Sequence, residues 1–181
     1  MIASHAYGLI AHALIFAALC ASLPLGVLRA RMGLIATVFA LFVGIAPAMH
    51  GFMGAPSLTL SAIAVRSLAA SEGFAPIHWQ RRYLALFLIF AAVFYFFALG
   101  LGLYITNFDL YAFGFSPGVL LLALVPFGLF LYFQNAVFAL VVLSLDLLAW
   151  RFGLFGNLWD ALFCAPLVLF CCFKLVVPKT L

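Results

Sequence analysis

The sequence predicts an all-α fold: a polytopic integral membrane helix bundle with about six transmembrane helices, plus one interfacial or re-entrant helix near 57–70. Three observations carry this. Hydrophobic residues make up 70% of the 181 residues and charged residues only 7%, against roughly 45–50% and 25% in a soluble domain. The mean hydropathy is +1.36. The apolar residues fall in runs of about the length that crosses 30 Å of hydrocarbon at 1.5 Å per residue. Disorder needs the opposite composition, and the runs are apolar all round rather than alternating, which excludes the strands of an outer-membrane barrel. The whole chain, 1–181, reads as a single transmembrane domain.

The first span covers 6–28. It is preceded by no positive n-region, its apolar run is longer than a signal core, and Leu19 before Cys20 is too bulky for lipoprotein processing; it is kept as a membrane helix. Arg29-Ala30-Arg31 forms a tight polar turn. The second span, 33–53, contains Pro47, which is expected to kink it near its far end. Ala55-Pro56-Ser57 has the chemistry of a helix start, and the following segment to Ala70 is too short to cross, hence interfacial or re-entrant. Glu72-Gly73 ends it, and Pro76 to Arg82, with Trp79 and two arginines, approaches the membrane at headgroup depth.

The third span is 83–105, and 106–117 is a loop carrying an aromatic belt. Residues 118–150 would make a helix of about 50 Å, far more than one crossing, so a tight turn is placed at Gln134-Asn135. This gives spans over 117–133 and 136–154. Asn157 to Asp160 reads as a loop and N-terminal cap, opening a sixth span over 159–177 that Pro178 ends.

The net charge of +4 comes from eight scattered basic residues. They form no stripe that could follow phosphates, so nucleic acid is not an expected partner. They read instead as topology and headgroup contacts. With both termini cytoplasmic, Arg66, Arg81, Arg82, Lys174 and Lys179 face inward and Arg29, Arg31 and Arg151 outward, a slender bias that leaves orientation open. The four cysteines contain no C-x-x-C and lie in apolar runs, where they serve as small apolar side chains rather than a disulfide framework.

Polar residues within apolar spans are the sites this sequence offers. His12 and His50 lie on the first two spans with Arg31 midway between them in sequence, so a hairpin turning there brings the imidazoles level. His5, seven residues before His12, shares its helix face. Such a pair suits axial ligation of b-type haem, or a metal or quinone site; the plainer reading is an imidazole bonded to a nearby carbonyl. Asp146 sits near the middle of its span and reads as a proton or cation site or an interhelical hydrogen bond, with Lys174 as its intramembrane basic candidate. Asp109 and Asp160 are expected to be solvated. Ser116 has no histidine or aspartate at a hydrolase spacing.

The composition therefore implies a multi-pass protein of the bacterial inner (cytoplasmic) membrane. Its partners are the lipid bilayer and other membrane subunits, or copies of itself. The leading expectation is a non-catalytic subunit or partner of a larger membrane complex, more in keeping with the residues than an enzyme. The alternatives are a redox subunit binding haem b or quinone through His12 and His50, and a small proton- or cation-coupled carrier using Asp146. Lipid chemistry would have only Glu72, His78, Asp109 and Asp160 to draw on.

Overall fold

A computed structural model describes residues 2–23, 29–71, 74, 81–98 and 109–176, and all regular structure among them is helical. They cluster into two compact units, Met1–His78 and Trp79–Leu181.

The first unit is built on α1 (Ile2–Ala21), which packs against α2 (Arg29–Phe42), α3 (Ile45–Met53) and α4 (Leu58–Ser71). Arg29 and Arg31, expected in a tight polar turn, lie instead in the first turn of α2. The expected kink at Pro47 also moves. The chain bends by 70° between α2 and α3, and the break is at Gly44, whose φ of 86° is the left-handed conformation that glycine adopts without strain. Pro47 sits in the first turn of α3, where a missing N–H costs nothing because the first four have no intrahelical acceptor. The expected start near Ser57 is present. Its Oγ accepts the N–H of Leu60 at 3.3 Å, and Tyr7 Oη donates to the Pro56 carbonyl at 3.0 Å, so α1 holds the entry of α4.

In the second unit, α5 (Arg81–Ala98) packs along α9 (Ala165–Val176), α6 (Gly118–Phe133) along α7 (Val137–Arg151), and α7 against the short α8 (Leu158–Leu162). A 3-10 turn over Tyr111–Gly114 touches α5, α6 and α8. The turn expected at Gln134-Asn135 is there. Asn135 takes φ 53°, and the Ala136 N–H closes back on the Leu131 carbonyl at 2.9 Å, a left-handed helix stop that asparagine tolerates. The sixth predicted span is not one uninterrupted helix. It breaks at Phe163-Cys164, where Phe163 is extended at φ −128° and ψ 144°, and Pro166, in the first turn of α9, has no N–H to offer the Leu162 carbonyl.

Among the described residues two helical segments, Ala3–Ala21 and Leu158–Val176, are long and apolar enough to cross a membrane, or three if the bent α2–α3 pair is one span. That is fewer than the six expected. Helices α6 and α7 have 16 and 15 residues, or about 24 and 22 Å at 1.5 Å per residue, short of a 30 Å core. Parts of three expected spans, over 24–28, 99–105 and 177, and the approach at 75–80 lie outside the described residues.

A histidine row as the candidate functional site

Helix α1 places His5, Gly8 and His12 along one face, because residues three, four and seven apart share a side of a 3.6-residue helix. The bend at Gly44 sends α3 back across that face and delivers His50 to it. A Cβ at Gly8 would collide with His50 Cε1 and Nδ1, and its Nε2 would lie 3.2 Å away. The nitrogen-bearing edge of His50 thus enters the notch left by a glycine with no side chain. On one side its ring meets His5 at 4.8 Å between centroids; on the other it meets His12 at 5.9 Å, both edge-on at 67°. The result is a row of three imidazoles. It runs from exposed His5 through half-buried His50 to fully buried His12.

The two histidines singled out in the sequence are therefore in contact. His12 Nδ1 bonds the Gly8 carbonyl at 2.8 Å, so the plain imidazole–carbonyl reading and the paired reading describe the same ring. A haem between His12 and His50 would need α1 and α3 to part, since the His50 edge already lies on the α1 backbone. No group of three or more His, Cys, Asp or Glu side chains among the described residues closes on one point.

Asp146 is fully buried on α7. Lys174 lies in the last turn of α9, with its ammonium 5.7 Å from the centre of the Phe170 ring, a cation–π contact that lets the long stem stay in apolar surroundings. An open apolar groove of about 360 Å³ runs between α6 and α7, lined by Leu124, Gly128, Leu140 and Leu143 among others.

A second polar group, in the second unit, was only partly legible. Asn157 caps α8, its Oδ1 accepting the Trp159 N–H at 2.9 Å, as expected of an asparagine before an apolar run. Its amide also donates to the Tyr111 carbonyl at 3.1 Å, and Trp159 Nε1 donates to the Leu110 carbonyl at 2.9 Å. The two aspartates expected to be merely solvated have bonds, although both are exposed. Asp109 Oδ1 accepts the N–H groups of Tyr111 and Ala112 at 2.9 and 3.1 Å, holding the 3-10 turn. Asp160 accepts the Tyr111 hydroxyl at 3.0 Å. Burial first, and then this bond, push the Tyr111 phenol up to about 12. Trp159 in turn packs on Phe94 and Phe163, at 4.6 and 5.9 Å between ring centres.

This arrangement ties a turn to a helix cap, and its chemistry is structural. Asn157→Ala removes a cap and leaves the Trp159 N–H and the Tyr111 carbonyl without their side-chain partner, so we expect a loss of about 2 kcal/mol. Denaturant titration in detergent, followed by tryptophan fluorescence, measures it. An unchanged midpoint would show that the cap does not hold the turn.

No protein-family model, curated protein or solved structure matches the chain, so what it does has to be argued from these residues.

Proposed function

We propose that the protein is a multi-pass integral membrane protein of about six crossings, resident in a bacterial inner membrane, that works as a non-catalytic subunit or partner in a larger membrane assembly. One observation supports this most. The first unit is packed inside out by the standards of water: Ala11, Ala13, Ala17, Ala36, Ala40 and Ala46 are buried while Leu34, Phe42 and Phe52 are 73%, 86% and 88% exposed. In water the large apolar side chains would be withdrawn, because burial of a Leu or Phe side chain is worth about 1.5–3 kcal/mol. In lipid that drive vanishes between helices, and small residues win the contact faces because they let backbones approach closely. Large side chains then face acyl chains or the apolar helices of a partner.

The role in an assembly is tested by extracting membranes with alkaline carbonate, dissolving the pellet in a mild detergent, and weighing the purified particle. The chain is expected in the pellet and, after solubilisation, in a particle heavier than one protomer with its detergent, with membrane proteins or further copies in fixed ratio. A chain released by carbonate overturns the membrane assignment. A lone protomer from the pellet overturns the subunit role.

A further inference from the structure

The geometry points to a binding site for a divalent d-block cation in the first unit, formed by His50 with the histidines of α1. The site goes beyond the subunit role and does not depend on it. Four observations converge on it.

The first is spacing. Two imidazoles bound to one tetrahedral centre, with metal–nitrogen distances of about 2.0–2.1 Å, hold their ring centres about 5 Å apart. The measured separations of 4.8 Å for His5–His50 and 5.9 Å for His50–His12 bracket that value. The second is the bond from His12 Nδ1 to the Gly8 carbonyl at 2.8 Å. It holds the proton on Nδ1 and leaves the lone pair on Nε2, the way metal-ligating histidines are commonly oriented by a backbone oxygen. The third is His50 Nδ1, which is buried with no hydrogen-bond partner; such a nitrogen is costly unless something binds it. The fourth is access. His5 is exposed at the start of α1, so the row opens outward before it reaches fully buried His12.

The ligand set selects the ion class. Imidazole suits zinc, copper and nickel, whereas calcium and magnesium demand oxygen donors. His5 and His12 stand about 10 Å apart along α1, so the three rings do not converge. The cation therefore takes two imidazoles at a time, with water in its other positions. A site left open in this way exchanges its ion readily, unlike a closed four-ligand structural zinc.

The test uses the full chain in detergent, titrated with Cu2+ and Zn2+ by calorimetry, with electron paramagnetic resonance on the Cu2+ sample. We expect about one ion per chain, nitrogen coupling from two imidazoles, and binding that weakens as the solution is acidified and protons compete for the rings. His50→Gln should weaken binding about tenfold or more, and either His5→Gln or His12→Gln should do the same. His78→Gln, which removes the remaining histidine of the sequence, should bind as the unaltered chain does. Thermal melting of each variant separates a lost ligand from a lost fold. Should His50→Gln prove unfolded, Gly8→Ala, which leaves every histidine in place, takes over its part and should likewise weaken binding about tenfold. Retained affinity in a folded His50→Gln, retained affinity in both α1 variants, or a copper spectrum without nitrogen coupling overturns the site.

Discussion

Replacing Gly114 by alanine is expected to cost the second unit about 3 kcal/mol or more, the largest effect of a methyl group added at any of its described glycines. The added Cβ would overlap Asn157 Oδ1 and stand 2.6 Å from Trp159 Cδ1. Neither atom is free to retreat. Asn157 is fully buried and its oxygen holds the Trp159 N–H, while its amide holds the Tyr111 carbonyl. The Trp159 indole is fixed by its bond to the Leu110 carbonyl and by Phe94, packed against it at 4.6 Å between ring centres with the planes tilted by 46°. Overpacking of this kind costs about 1–3 kcal/mol; losing the cap adds about 1, and a stranded buried amide about 1–3 more. Against a typical total of 5–15 kcal/mol, that is a large share of the stability. Denaturant midpoints in detergent, read by tryptophan fluorescence, measure the effect. Gly156→Ala is the control, because a Cβ there meets nothing within 4 Å. Equal midpoints for the two variants would show that the turn and the cap are not tied together at Gly114.

What the sequence revealed about these elements was local chemistry. The start of α4 at Ser57, the stop at Gln134-Asn135 and the cap at Asn157 are each written in a few consecutive residues whose side chains or φ preferences act on their own backbone. Where two local signals compete, reading by residue type is weaker. Pro47 is the stronger helix breaker by type, yet the bend is at Gly44, because a proline in a first turn breaks no hydrogen bond. Pro166 lies within a uniformly apolar run that reads as one span, and the break beside it shows only in the structure. Contacts between distant residues are a different matter. Tyr111 and Asp160 are 49 residues apart, and nothing in the spacing of either one points to the other. The histidine row falls between these cases: the i, i+7 relation of His5 and His12 and the level placing of His50 follow from helix geometry. That the His50 ring enters between them depends on the direction of α3, which the bend at Gly44 sets.

That dependence makes Gly8 the most informative position in the first unit. Gly8→Ala is expected to expel His50 from α1 without altering a single histidine. The new methyl group would fall on His50 Cε1 and Nδ1. The imidazole has no lateral escape, with His5 and His12 against its two sides. Helix α3, by contrast, can move as a body. It is bounded by Gly44 and Gly54, at φ 86° and 71°, and a Cβ at either would meet nothing within 4 Å. The backbone at both ends is thus one that glycine can change at little cost. We expect a stability loss of about 1–3 kcal/mol, the usual range for overpacking. Diethyl pyrocarbonate should modify His50 faster, measured by peptide mass spectrometry, and the affinity for Cu2+ should fall as it does in His50→Gln. Gly51→Ala on α3 is the matched comparison: its Cβ also meets open space, and alanine favours a helix over glycine by about 1 kcal/mol, so neither His50 reactivity nor copper affinity should change. If Gly8→Ala leaves His50 as protected as before, the notch is not what seats the ring, and the row is a coincidence of two neighbouring helices rather than a built site.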